Sequence, residues 1–348
     1  MLADRIEAKW IDAFCEIFER CAVKSGDTAA ILSETQSRAV NIHLAELALL
    51  RMGARPFHVI VPTPRNRQIV PIRSTGASEA IQRLAPVVTA LQQAGFVVDC
   101  TIEGLMHAVE TPEILKAGAR ILVISNEHPE ALERMVPDAA LEKRVRAAAK
   151  MLRGTKRMRV TSKAGTDLGV DMAGASTVGV WGWTDKPGTL AHWPGGIVVS
   201  FPKSGTVNGT LVMAAGDINL TFKRYLTSPV RMTLKDDYVT DLQGEGADAM
   251  MMRAYLAAWG DREAYAVSHV GFGMNPGARY EALAMYDQRD TNGTELRAVA
   301  GNFLFSTGAN EFAGRYTAGH FDLPMMGTTI ELDGVAVVRE GVLQDVFG

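Results

Sequence analysis

The sequence predicts an α/β N-terminal domain with a parallel sheet over residues 1–155, followed by an α+β C-terminal domain with mostly antiparallel sheet over residues 156–348. Two observations predict this. Up to about residue 155 short apolar strands alternate with helical stretches, the pattern of a parallel sheet covered on both faces. Beyond it glycines become denser, and short β-branched runs alternate with turn residues.

Residues 3–22 carry Ile6, Trp10, Phe14, Ile17 and Phe18 at helical spacing, and the apolar run Ala29-Ala30-Ile31-Leu32 follows as a strand. A helix is expected at about 36–51, then the strand Phe57-His58-Val59-Ile60-Val61, which Pro62 ends. A helix at about 77–94 leads into the strand Phe96-Val97-Val98-Asp99-Cys100. The strand Arg120-Ile121-Leu122-Val123-Ile124 and helical patterns at about 129–152 complete this half. No glycine-rich phosphate loop opens any of these helices. Gly271-Phe272-Gly273-Met274-Asn275-Pro276-Gly277 has the wrong spacing and a proline where a helix should start, so it reads as a loop.

In the second half, strands are expected at Arg157 to Thr161, Gly196 to Phe201, Gly209 to Met213 and Arg231 to Leu234, the last turning at Lys235-Asp236-Asp237. One helix is clear, at about 247–259. Thr328 to Leu332, an Asp333-Gly334 turn and Val335 to Arg339 make a hairpin signal.

Length and composition bound the function. A chain of 348 residues can bury two cores, and 47% hydrophobic with 22% charged residues is ordinary for a globular protein. The net charge of −3, with both signs mixed along the chain, argues against a nucleic-acid groove or an anionic membrane as partner. The N-terminus lacks an apolar signal core and no apolar run is long enough to span a bilayer, so the expected location is the cytoplasm. Cys15, Cys21 and Cys100 are too few and too scattered for a disulfide framework or a zinc knuckle.

The chemistry concentrates near the C-terminus, in Gly319-His320-Phe321-Asp322. Alternate side chains of a strand share a face, so His320 and Asp322 project together while Phe321 packs on the other side. His269, in the strand-like stretch Tyr265 to Val270, is the best third partner. Two histidines and one carboxylate with open positions is the ligand set of non-heme Fe(II) oxygenases. The same pattern is also satisfied by a plain hydrogen bond between His320 and Asp322, and the residues alone leave both readings open.

His192 lies in a stretch rich in tryptophan, glycine and proline from Trp181 to Gly196, read as a loop, where it either moves protons in a pocket wall or is solvated. His107 has the same two readings. Ser306 either lines the site or bonds a turn. His43 and His58 read as structural, and His128, before Pro129, as a solvated turn residue.

Phe201-Pro202 followed by Gly205-Thr206-Val207-Asn208-Gly209-Thr210, together with Gly319 to Gly327 running into Leu332-Asp333-Gly334, resembles the two-metal aminopeptidases of the thermophilic type. It resembles still more the 2,5-dihydroxypyridine 5,6-dioxygenases, ring-opening enzymes of bacterial nicotinate and nicotine breakdown. The departures favour the second group. Ile197 stands where the peptidases carry a metal-binding glutamate, His269 where they carry another, and Phe312 where a ligand histidine is expected. A bridged metal pair about 3.5–4 Å apart needs several carboxylates, and one carboxylate with two histidines suffices for a single ion.

The resemblance implies an aminopeptidase-like fold and an extradiol-type, Fe(II)-dependent opening of 2,5-dihydroxypyridine by O₂ to N-formylmaleamate. It implies His269, His320 and Asp322 as iron ligands, His192 as base, His107 as a second acid or base, and no organic cofactor. Trp181, Trp183 and Trp193 are expected to form a hydrophobic shell, or else a core or oligomer contact. The partners expected are a small hydroxylated pyridine, O₂ and further copies of the chain in a symmetric homo-oligomer. The alternatives are a metal-dependent aminopeptidase, a non-catalytic binding protein and a dioxygenase for a related hydroxylated pyridine.

Overall fold

In the computed structural model the chain is described for residues 5–65 and 78–347. The N-terminal sheet is parallel, in the order Arg55–Val61, Thr28–Glu34, Phe96–Asp99, Arg120–Ile124 and Leu190–Trp193. Helix Ala8–Arg20 buries Trp10, Ala13, Phe14, Ile17 and Phe18, an i, i+3, i+4, i+7, i+8 stripe. With helix Ala39–Arg51 it covers one sheet face, where Phe14, Phe18 and Leu44 meet Ile31, Phe96 and Val98. Leu91 of helix Ala85–Gln93 and Ile114 of helix Thr111–Lys116 cover the other, against Ala30, Val97 and Ile121. The α/β expectation is met.

Three boundaries differ from the sequence expectation. The helix expected at about 77–94 occupies only Ala85–Gln93; residue 77 lies outside the described residues. The pattern at about 129–152 is two helices, Pro129–Arg134 and Ala139–Gly154. Pro137 separates them, and Asp138 caps the second by accepting the Leu141 N–H at 2.7 Å. The larger correction is Leu190–Trp193, which is no loop. It pairs in parallel with Ile121–Ile124 as the fifth strand of the sheet, placing His192 opposite Val123.

Apart from Leu190–Trp193, the strands of the second half are antiparallel, as expected. An eight-stranded sheet runs Tyr238–Gln243, Val230–Lys235, Val207–Met213, Asp167–Asp171, Arg157–Ser162, Thr328–Leu332, Val335–Arg339 and Val342–Leu343. A five-stranded sheet runs Arg315–Met325, Phe303–Asn310, Val267–Gly273, Ile197–Phe201 and Ser176–Val180. One face of the smaller sheet, carrying Val198, Val270, Phe272, Phe303, Phe305, Phe321 and Leu323, joins the large apolar core with Val160, Leu211 and Ile330 of the larger sheet. Because strand side chains alternate, the opposite face receives Phe201, His269, Ser306, His320 and Asp322. Among the described residues no helix is long and apolar enough to cross a membrane.

Candidate metal centre

Three strands of the five-stranded sheet build the site. His320 and Asp322 stand two residues apart in Arg315–Met325, and Ser306 pairs directly across from Asp322. His269 reaches the same face through an irregularity. Val267 pairs with Thr307 but Val270 with Phe305, so the strand carries an extra residue between them. Both valines can then face the core although they are three apart, and His269 is turned to the other side, as bulges beside functional sites commonly do.

The three donors converge. His269 Nε2 lies 3.5 Å from Asp322 Oδ1, and His320 Nε2 lies 3.3 Å from Asp322 Oδ2. All three ligand atoms fall within 4.8 Å of one another. Donors about 2.1 Å from one ion and at right angles stand about 3.0 Å apart, so the spacing needs little change to accept a cation. Asp322 is 3% exposed, and its Oδ1 accepts no hydrogen bond among the described residues. An unpaired buried carboxylate oxygen is costly, and a cation between Oδ1 and the His269 ring would complete it. The donor set therefore fits one metal ion.

Charge states suit the same purpose. Burial pushes the His269 pKa down to about 3, the pull of Asp322 in the other direction being outweighed, so its imidazole is neutral at pH 7. Burial alone would raise the Asp322 carboxyl, yet the charge of Arg297, with His320 and His269, holds it well below the usual carboxylate range. Arg297 Nε donates to Asp322 Oδ2 at 2.6 Å, which leaves Oδ1 as the open oxygen. A neutral imidazole and an ionised carboxylate are the forms that bind metal.

The sequence of residues 9–345 matches the family described as 2,5-dihydroxypyridine 5,6-dioxygenase. The chain belongs to this family. It is 33% identical over 338 residues to 2,5-dihydroxypyridine 5,6-dioxygenase of Pseudomonas putida KT2440, a match covering 96% of this chain and 95% of that one. A solved structure of 2,5-dihydroxypyridine dioxygenase from Pseudomonas putida KT2440 superposes with a TM-score of 0.90 at 32% identity, over 98% of this chain and 99% of that one. AmpT from Thermus thermophilus superposes at 0.64 and 15% identity, over 96% and 99%, a likeness of fold alone.

In this member of the 2,5-dihydroxypyridine 5,6-dioxygenase family, the other sequence-predicted residues fall in two groups. His107 comes to His320 from the parallel half, its ring 6.2 Å from that of His320 and its Nδ1 3.9 Å from Glu311 Oε1. Burial and the His320 ring lower its pKa, keeping it neutral at pH 7. His192 is buried at the carboxyl end of its strand, with Nδ1 2.6 Å from the Pro194 carbonyl. That contact makes Nδ1 the protonated nitrogen and leaves Nε2 as the acceptor. Burial brings its pKa to about 4, and the Arg297 charge acts the same way. His192 is thus neither a loop residue nor solvated. Ser306 shares the Asp322 face and is fully buried.

The tryptophans do not form the shell. Trp193 lies in the core with Phe14 at 5.0 Å and donates to the Met135 carbonyl at 2.9 Å. Trp183 packs in the same core, and Trp181 lies under Arg146. Phe201 takes their place, edge-on to His269 at 5.6 Å, with Phe312 on it at 5.0 Å. Ile197 is buried in an apolar cluster with Val199, Phe201 and Leu304 and adds no ligand. His128 caps helix Pro129–Arg134 by accepting the Glu130 N–H at 3.2 Å and stacks on Tyr286, so it is not a solvated turn residue. Arg297 and Glu311 are not legible from sequence, since each acts only through a partner distant in the chain.

Proposed function

We propose that this chain opens the ring of 2,5-dihydroxypyridine with O₂, as a mononuclear Fe(II) dioxygenase whose metal ligands are His269, His320 and Asp322. Both oxygen atoms enter the product and the C5–C6 bond breaks, giving N-formylmaleamate with no further reductant. The observation that carries this reading is the convergence of two histidines and one buried, half-satisfied carboxylate in a member of this family. Bound there, Fe(II) would supply a Lewis acid with open positions for the substrate hydroxyl and for O₂.

The chain's own residues do the rest. His192, neutral with Nε2 free to accept, takes the proton of the 5-hydroxyl. His107, neutral beside His320 and backed by Glu311, serves as the second acid or base. Ser306, across from Asp322, offers a hydroxyl on the ligand face. Phe201 keeps water from the His269 side.

The test is anaerobic reconstitution with Fe(II), metal counted per chain, then addition of substrate and O₂ with ring absorbance and oxygen uptake recorded. One iron per chain, ring loss and equimolar oxygen uptake are expected. Two metals per chain, or ring persistence without oxygen uptake, would refute the reading. Substituting alanine for His269, His320 or Asp322 should each abolish iron binding in a folded protein.

A further inference from the structure

A large apolar side chain stands half-uncovered beside the site. Phe312 is 49% exposed, yet its position is fixed. It sits in the turn Glu311–Ala313 that links the Ser306 strand to the His320 strand. Fully buried Asn310 ties that turn down, its Oδ1 accepting from the Ala313 N–H at 3.1 Å and its Nδ2 donating to the Pro202 carbonyl at 2.9 Å. Lys203 Nζ donates to the Phe312 carbonyl at 3.3 Å, and Gly314, at φ 71°, supplies the left-handed conformation that reverses the chain. Both side-chain ties outside the turn therefore run to the residues just after Phe201.

The turn reaches both flanks of the ligand group. On one side Phe312 packs on Phe201 with an interplanar angle of 49°, and Phe201 meets the His269 ring at 74°. On the other side Glu311 approaches His107, which faces His320. From the protein surface to the first ligand there is thus an unbroken series of rings. Offset and tilted aromatic contacts are favoured over the same area of saturated surface, because ring edges and faces carry opposite partial charge.

We propose that Phe312 is a substrate-recognition residue, forming with Phe201 an aromatic cradle that selects a planar ring over a saturated one. This rests on the ring-cleaving reading above. Phe312 has no hydrogen-bonding atom, so it reads planarity and leaves the ring substituents to the polar residues.

The experiment is anaerobic calorimetry on the Fe(II)-loaded protein with 2,5-dihydroxypyridine and its saturated counterpart 5-hydroxypiperidin-2-one. Wild type should prefer the planar ring by about tenfold. Phe312→Ala and Phe312→Leu should lose most of that preference, while Phe312→Tyr keeps it and iron stoichiometry is unchanged in all three. The leucine variant matters because it still covers the site, so a residue that merely shields it would leave the preference intact. Retention of the preference in Phe312→Leu, whatever Phe312→Ala shows, or equal binding of the two rings by wild type, overturns the proposal. Oxygen uptake on 2,5-dihydroxypyridine separates the two claims. Loss of ring preference in the variants, with no uptake by wild type, sinks the dioxygenase reading and leaves the cradle standing.

Discussion

Replacing Arg297 by methionine removes the guanidinium that holds Asp322 ionised. The pair is buried, with side-chain exposures of 13% and 3% and a 2.6 Å contact from Nε to Oδ2. Breaking a buried ion pair from one side costs about 3–5 kcal/mol, because the remaining charge keeps its desolvation penalty without its partner. His320 Nε2, 3.3 Å from the same oxygen, stays behind and can share a proton, so the expected loss in the metal-free protein is about 3 kcal/mol. Asp322→Asn in the same background removes the stranded charge, and the coupling between the two sites should reach about 2 kcal/mol or more. Urea unfolding in EDTA of wild type, both single variants and the double variant closes the cycle. A second signature is that Mn(II) should stabilise Arg297→Met more than wild type, since the cation takes over the role of the lost positive charge. If the single variant unfolds within about 0.5 kcal/mol of wild type, or the two changes simply add, then Arg297 does not hold the Asp322 charge.

Three further outcomes are expected from the same geometry. His192→Ala should keep one iron per chain and lose about 10²–10⁴-fold in turnover, and normal turnover by oxygen uptake would place the base elsewhere. His192 also leaves a pH signature in stability. Its folded pKa of about 4 lies below the ordinary value of about 6.5, so between those values the unfolded chain binds a proton that the folded chain refuses. The His192 contribution is therefore lost as pH falls through that window. Unfolding free energies of metal-free wild type and His192→Gln should diverge in slope by up to about 1.4 kcal/mol per pH unit there, and parallel curves would contradict the burial argument. Trp193→Ala should cost about 3–5 kcal/mol in denaturant unfolding while the surviving folded fraction retains its iron, since Trp193 fills the core against Phe14 rather than the site; selective loss of iron would reverse that assignment.

Local periodicity is the part of this fold that the sequence makes legible. His320 and Asp322 share a face because a strand has a period of two, and that rule needs no knowledge of the rest of the fold. The first helix is legible because its five apolar residues repeat at helical spacing. Leu190–Trp193 is hidden for the converse reason. A four-residue parallel strand in a sheet shows no alternation, and here Pro187, Gly188, Pro194, Gly195 and Gly196 surround it with turn residues. Reading Trp181 to Gly196 as a loop turns its tryptophans into candidate pocket walls and leaves His192 as a proton mover in such a wall or a solvated residue, although Trp181, Trp183 and Trp193 all pack in or against the N-terminal core. The bulge that turns His269 toward His320 and Asp322 leaves no trace in sequence, because it is defined by register against Phe303–Asn310. Residue pattern places His269 on its strand, but the reason it meets Asp322 is tertiary.

Arg297 shows how far the site depends on contacts between the two halves of the chain. It lies in the short helix Thr294–Ala298, too short to be stable by itself. That segment is fixed from the parallel half. The fully buried Glu127 carboxylate accepts the N–H groups of Asn292, Gly293 and Glu295 at 2.9, 2.9 and 3.2 Å. Glu295, also buried, is held by Arg134 and by the Arg279 N–H, both at 2.8 Å. Two carboxylates buried this close oppose each other, and burial with the neighbouring Glu295 charge raises the Glu127 pKa. Each is nonetheless hydrogen-bonded, the condition under which buried charge is tolerable. The result is that Arg297 is positioned from the parallel half but acts on the antiparallel one, where it sets the charge of Asp322. His107 meets the His320 ring from that same parallel half, and His192, on its fifth strand, feels the Arg297 charge. The charge of Asp322 and the surroundings of His107 and His192 are thus both set by how the two halves meet, whereas the three candidate metal donors belong to one sheet.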